Sequence, residues 1–190
     1  MSLQEQRQEL ERLGFKVVRE SPDSLVALRQ KWHWDCLLTK LTYVVFVRRV
    51  IGLKAAGIEA DRARMEEEAR TLDPSALPRG FQKGVAVLPL YIADQVDESA
   101  RALLERKSKI RFAFFYLPAA LDLSSGRAYY LRGTPAWGAL YFSKFRFLVR
   151  RVLEPAGSPT SWPVSAMGTI FGLLIIGLLI ASFTLFASRR

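Results

Sequence analysis

The sequence predicts an α+β (or α/β) fold, with one mixed-sheet domain followed by a single C-terminal transmembrane helix. Apolar runs suited to strands alternate with charged stretches suited to helices. Half of the residues are hydrophobic and 12 % are aromatic, which argues against disorder. Residues 164–187 carry no charge at all. The predicted organisation is a basic domain at 1–153, a linker at 154–163, the membrane helix and a short basic tail at 188–190.

Caps, turns and β-branched runs predict the first elements. Residues 3–13 place apolar side chains among Glu, Gln and Arg, and Gly14 is well suited to follow a helix end. Strands are predicted at 15–20 and 25–34, because the turn sequence Ser-Pro-Asp-Ser separates them. A third, largely buried strand is predicted at 41–50, which is rich in β-branched and aromatic residues.

The middle of the chain continues the alternation. Residues 59–72 are charged and contain alanine, which predicts an exposed helix. A short apolar strand follows at 84–92, where Pro89 favours an edge position or a bulge. The next helix is predicted at 97–107, with Asp97 near its N-cap.

The last elements of the domain follow the same logic. The run at 110–117 predicts a buried strand, and 121–131 predicts a hairpin that turns at Ser-Ser-Gly, residues 124–126. A final helix is predicted at 139–153. The resulting order of elements is α-β-β-β-α-β-α-β-β-α.

The first six elements, over residues 3–92, resemble in topology the core of the restriction-endonuclease-like nucleases. The resemblance implies an acidic residue on one strand and an acid-x-lysine sequence on the next, which together hold a divalent metal. Here the third strand ends in Phe-Val-Arg-Arg, residues 46–49, and Asp35 has no second carboxylate beside it. One alternative is therefore a degenerate version of this fold without chemistry.

The charge of the chain predicts an anionic neighbour. The net charge is +10, and without the two terminal arginines the first 163 residues hold 26 Lys and Arg against 18 Asp and Glu, or +8. Such an excess favours a phospholipid surface or a nucleic acid. A single cysteine excludes an internal disulfide. The polar N-terminus lacks the apolar core of a secretory signal, so we expect a cytoplasmic domain.

Residues 164–187 predict the anchor. At 1.5 Å per residue, a helix of about 24 residues covers roughly 36 Å, enough to cross a hydrocarbon layer of about 30 Å. Four cations precede it within about 20 residues and two follow it, which favours a cytoplasmic N-terminal domain. The four are Lys144, Arg146, Arg150 and Arg151. The arrangement resembles that of tail-anchored proteins, which are a topological class.

Small residues in the anchor predict helix packing. Gly168 and Gly172 form a GxxxG pair, and Gly177 with Ala181 repeats the small-xxx-small spacing. This spacing lets two helix backbones approach closely, either between copies of this chain or with another membrane subunit. The plainer interpretation is that glycine is common in membrane helices.

The densest group of reactive side chains lies around residues 31–36. A strand would place Trp32 and Trp34 on one face and His33 on the other. His33 and Cys36 are the only histidine and the only cysteine, so a structural zinc site is not expected and no cofactor is predicted. The tryptophans, with Trp162 before the anchor, are instead suited to aromatic packing or to a membrane or partner interface.

Two groups of carboxylates follow predicted strands. Asp94, Asp97 and Glu98 follow one strand, and Asp122 lies in the predicted hairpin. Carboxylates at strand ends can bind metal or act as acid and base. Asp97 and Glu98 have a simpler role at the positive end of a helix.

The segment 141–151 interleaves aromatic residues with the four cations and contains no acid. At helical spacing Tyr141, Phe145, Leu148 and Val152 share one stripe, which is suited to docking on the core. The cations are expected to face anionic lipid headgroups, each contributing on the order of 1 kcal/mol. A plain solvated face, or contact with nucleic acid, remains the alternative.

These features favour a non-enzymatic accessory or assembly subunit of a membrane protein complex. Its partners would be the anionic bilayer and either other membrane subunits or a second copy of the chain. The alternatives are a membrane-tethered sensor of nucleic acid or nucleotide, the degenerate nuclease-like domain, and an enzyme that uses His33, Asp35 or Asp94 with a metal.

Overall fold

The computed structural model describes residues 2–33, 39–73, 83–106, 113–134 and 139–154. Over these ranges the chain forms a mixed-sheet α+β domain with seven strands and four helices. The helices are α1 Leu3–Arg12, α2 Ala55–Leu72, α3 Glu98–Glu105 and α4 Ala139–Leu153. The strands are β1 Lys16–Ser21, β2 Ser24–His33, β3 Thr39–Leu53, β4 Lys83–Val96, β5 Phe114–Tyr116, β6 Ala119–Asp122 and β7 Arg127–Tyr130.

One sheet contains all seven strands. Its order is β1-β2-β3-β4-β6-β7, and β5 also pairs with β4. The β1–β2 and β2–β3 pairs are antiparallel, whereas α2 crosses over so that β4 runs parallel to β3. The leading α-β-β-β-α-β order is thus confirmed. Between α3 and α4 the structure has β5, within the predicted strand at 110–117, and then β6 and β7, which form the hairpin predicted at 121–131. The predicted order counted that hairpin as one strand.

The prediction for Pro89 was wrong, because β4 is an internal strand paired on both sides. The backbone groups of Val85, Val87 and Ala93 form hydrogen bonds on the side of β4 that faces β5 and β6. Pro89 has the same position in the alternation along the strand, so its backbone nitrogen faces that side as well. Pairing with β5 ends at Val87, and pairing with β6 starts at Leu90. The missing N–H of Pro89 therefore falls at the junction between two short strands.

Helix ends and turns match the local sequence. Ser2 and Glu5 form a capping box on α1, and Gly14 after it has φ +80°, which glycine adopts without strain. Gly126 has φ +66° in the β6–β7 turn, which confirms the predicted hairpin. Helix α2 begins four residues earlier than predicted, and it is not exposed on every side, since Met65 and Ala69 are buried.

Helices cover both faces of the sheet. Side chains of α1 and α4, such as Leu10 and Phe145, pack with Val45 and Leu88 in one large cluster. Side chains of α2 and α3 pack on the opposite face in two smaller clusters. The helix that leads toward residues 164–187 therefore belongs to the main core of the domain.

Candidate functional site

Helix α4 docks firmly on the sheet through the predicted stripe. Phe145, Leu148 and Val152 are each 1 % exposed, which confirms the prediction for these positions. The Phe145 ring lies 6.1 Å from that of Tyr43 between centroids, in an edge-on arrangement. Tyr141 is half-buried, and its hydroxyl donates to Oγ1 of Thr39 at 3.0 Å. Fully burying each large apolar side chain stabilises the docked helix by about 1.5–3 kcal/mol.

Two of the four cations assigned to the lipid surface have other positions. Lys144 is 2 % exposed, so its expected place at the headgroups is corrected. Arg151 donates from Nε to Oε1 of Glu9 at 2.7 Å, and its Nη2 also contacts that oxygen. Glu9 belongs to α1 and is 8 % exposed in its side chain. Arg151 therefore ties α4 to α1, because its partly buried guanidinium contacts the buried carboxylate of Glu9.

Arg146 and Arg150 lie on the outer side of α4. Arg146 donates to the backbone oxygens of Arg132 at 3.3 Å and Gly133 at 3.2 Å, and to Oγ1 of Thr134 at 3.2 Å. Arg150 is 42 % exposed in its side chain and lies 3.9 Å from the Glu154 carboxylate. Arg146 thus holds the segment that follows β7, while the Arg150 side chain is partly exposed.

A cavity of about 390 Å³ opens beside β7. The residues that line it come from the end of α3, from β7 and from the segment that Arg146 holds: Glu105, Arg127, Ala128, Tyr129, Arg132 and Gly133. Sequence reasoning missed this site. Its only signal was the run Arg-Ala-Tyr-Tyr-Leu-Arg, residues 127–132, in which two cations flank two tyrosines.

Of residues 31–36 the structure describes Lys31, Trp32 and His33, and among these His33 is used for packing. Trp32 is 53 % exposed and His33 is 4 % exposed, which confirms their placement on opposite faces of β2. Nε2 of His33 lies 2.8 Å from the Tyr43 hydroxyl, and the two rings meet edge-on. A buried imidazole with a hydroxyl partner is a satisfied core group. Trp34, Asp35 and Cys36 lie outside the described residues.

Two of the predicted carboxylates have clear structural roles. Asp97 accepts from Ser99 N at 2.8 Å at the start of α3, and hydrogen bonds from the Ser99 side chain and backbone lower the pKa of Asp97. Asp122 is fully buried and accepts from the Ser124 backbone at 3.0 Å and hydroxyl at 2.6 Å. Burial raises the pKa of Asp122, but the hydrogen bonds from Ser124 and Ser125 outweigh it, so the pKa lies below its ordinary value. The Asp97 contact fits the capping interpretation, whereas Asp122 stabilises the β6–β7 turn.

A second polar cluster also escaped the sequence reasoning. Lys83 and Asp73 form an ion pair at 2.7 Å, with side chains 7 % and 4 % exposed. Thr42 donates to the same Asp73 carboxylate at 2.9 Å and accepts from Gln30 at 3.1 Å. The cluster joins the end of α2 to the start of β4, so it is built to hold the fold together.

The remaining predicted sites are outside the described ranges. These are Trp162, Gly168, Gly172, Gly177 and Ala181. Across the described parts of the chain, no helix has both the length and the apolar character needed to cross a membrane. The same ranges contain no group of three His, Cys, Asp or Glu side chains placed to hold a metal ion. The chain matches no protein-family model and no curated protein.

Proposed function

We propose that this protein is a single-pass membrane protein whose α+β domain serves as a non-enzymatic accessory or assembly subunit of a membrane protein complex. The observation that carries the proposal is the uncharged stretch 164–187, which begins about ten residues after the docked helix α4. Ten extended residues reach at most about 35 Å. A bilayer anchor at 164–187 would therefore keep the cytoplasmic domain close to the headgroups.

The described surface offers one contact near that location. Arg150, close to the end of α4, has a partly exposed side chain, and cations attract anionic headgroups. Trp32 is also exposed, but it lies on the face of the sheet opposite α4, since its neighbour His33 contacts Tyr43, which packs against Phe145. The roles of His33 in packing, Asp97 in helix capping and Asp122 in the β6–β7 turn favour an assembly role over catalysis by these groups.

Membrane integration is tested with the full chain after a high-pH wash of isolated membranes. The wild type should stay in the membrane fraction. Ile175→Arg with Ile176→Arg should release it, since each central arginine costs about 2.5–3.5 kcal/mol on insertion. Ile175→Leu with Ile176→Leu is the matched control and should behave as the wild type. Wild-type protein that washes off would refute the anchor.

Assembly is tested by the mass of the gently solubilised complex. On an ideal helix of 3.6 residues per turn, Gly168 and Gly172 lie opposite Gly177 and Ala181. We expect Gly168→Leu with Gly172→Leu, and Gly177→Leu with Ala181→Leu, each to reduce the mass by separating subunits. Leu174→Ile with Leu178→Ile, which changes no small residue, is the matched control and should keep the wild-type mass. If an unrelated apolar helix replaces 164–187 without any loss of assembly, the packing proposal fails.

A second candidate function is a degenerate restriction-endonuclease-like domain that binds nucleic acid without cleaving it. The order of α1 to β4, with an antiparallel β1-β2-β3 meander and a parallel β4, favours it. Salt-dependent binding of double-stranded DNA by the full chain in neutral detergent would support this candidate. Absence of binding at low salt would remove it.

A further inference from the structure

The cavity beside β7 carries an inference that goes beyond an assembly role and does not depend on it. Arg127 is the first residue of the lining segment 127–133 and Arg132 is the last but one, and both residues are exposed. Neither guanidinium has an acidic partner within the described ranges, whereas Arg7, Arg19 and Arg48 each pair with a carboxylate. Two cations at one cavity therefore keep their capacity for an anion.

Two arginines that do not line the cavity, Arg101 and Arg146, hold residues of its walls in place. The Arg101 guanidinium lies 5.1 Å from the ring centroid of Tyr129, and Arg101 is itself fixed by Asp122 at 3.4 Å and by the Val96 carbonyl at 3.1 Å. On the other side, Arg146 holds the backbone at Arg132. A ligand would thus find the tyrosine wall and the arginine segment already in place, which reduces the ordering cost of binding.

Glu105, the third charged residue of the lining, limits which anions the cavity can bind. Its negative charge would repel an occupant that carries only negative charge. A carboxylate accepts readily from a hydroxyl, while guanidinium forks match the oxygens of a phosphate. The cavity volume of about 390 Å³ is within the range of small-molecule sites.

We propose that this cavity binds the phosphate ester of a hydroxyl-bearing small molecule. The phosphate contacts Arg127 and Arg132, a hydroxyl donates to Glu105, and the Tyr129 ring forms an apolar wall. A glycerophosphate group has this chemistry. It occurs both as a free metabolite-sized ester and in the headgroup of phosphatidylglycerol, and the test separates these two sources.

The first experiment titrates the full chain in neutral detergent with glycerol 3-phosphate and with inorganic phosphate, by calorimetry. We expect saturable binding of the ester. Arg127→Gln and Arg132→Gln should each weaken it about tenfold or more, as expected for the loss of a charge-assisted hydrogen bond. Arg127→Lys should also weaken it, since lysine keeps the charge and loses the fork. Lys16→Gln, an exposed cation on the opposite edge strand, is the matched control and should bind as the wild type.

Glu105→Gln tests the choice of ligand. It should improve binding of inorganic phosphate, because a repulsive charge is removed, and should reduce the preference for the ester over inorganic phosphate. If neither glycerol 3-phosphate nor inorganic phosphate binds saturably, the proposal is overturned. Equal weakening by Arg127→Gln and Lys16→Gln would also overturn it, since that result would indicate general charge attraction.

The second experiment separates the two sources with the chain reconstituted in phosphatidylcholine nanodiscs, with and without phosphatidylglycerol. If the lipid headgroup occupies the cavity, phosphatidylglycerol will compete with glycerol 3-phosphate in the wild type. If the free ester is the ligand, its affinity will be the same in both discs. Either result supports the site, and loss of ester binding in both kinds of disc would overturn it. Failure of the high-pH wash test would leave the detergent titration unaffected, so the two proposals fail separately.

Discussion

Replacing Arg151 by methionine tests whether α4 is held by α1 or by the bilayer. The variant keeps most of the aliphatic stem and removes the contacts to Glu9, whose side chain is only 8 % exposed. Removing one partner of a buried pair costs about 3–5 kcal/mol. The cost here should be lower, because the Arg151 side chain is 18 % exposed and Arg12 stays 3.6 Å from Glu9. We expect a loss of about 2–3 kcal/mol.

Arg150 is the matched control on the next position of the helix. Its side chain is 42 % exposed and its carboxylate partner lies 3.9 Å away. Arg150→Met should therefore cost no more than about 0.5 kcal/mol. Thermal unfolding of the full chain in neutral detergent, followed by circular dichroism, measures both. For a chain of this size the expected Tm loss is roughly 4–12 °C for Arg151→Met and about 2 °C or less for Arg150→Met.

A double-mutant cycle identifies the partner. Glu9→Gln combined with Arg151→Met should destabilise by less than the sum of the single changes, because the second change no longer leaves a buried charge alone. Equal Tm values for Arg150→Met and Arg151→Met would refute the role of the Glu9 contact. Loss of binding to anionic vesicles by Arg151→Met, without loss of stability, would return Arg151 to the headgroup surface.

Two further predictions concern buried polar groups. Gln6 is 1 % exposed, and neither polar atom of its side chain has a hydrogen-bond partner among the described residues. Gln6→Met should raise the free energy of unfolding by about 1 kcal/mol in urea titrations. Gln8 is exposed, so Gln8→Met is the control and should leave the free energy of unfolding unchanged. A Gln6→Met variant less stable than the wild type would show that the Gln6 amide is hydrogen-bonded. Asp122→Asn should lower stability by about 1–3 kcal/mol at pH 7, where the native carboxylate is charged and accepts from Ser124. Because the folded pKa is below the ordinary value, the stabilisation is lost as pH falls below about 4, so the two proteins should converge there. A constant gap from pH 7 to acid would contradict the role of the charge.

The sequence alone determined the type and order of nearly all elements. The pattern at residues 41–50 predicted a buried strand, Gly14 marked the end of α1, and Asp97 marked the start of α3. These signals are local: they depend on φ, on caps and on apolar periodicity, which neighbouring residues set. The burial of the apolar stripe from Tyr141 to Val152 was also predictable, because a helical stripe of large apolar side chains is stable only when it packs against other apolar groups.

Only the tertiary structure decided what the polar residues of the same segments do. The sequence assigned Lys144 and Arg151 to the lipid surface, but Lys144 is buried and Arg151 contacts Glu9, which lies 142 positions away in sequence. The arginine cavity likewise depends on α3, β7 and α4 meeting at one edge of the sheet. The sequence shows which residues carry a charge. The role of each charged side chain depends on the groups, distant in sequence, that surround it in the folded chain. That long-range arrangement is fixed by packing of the whole sheet and its helices.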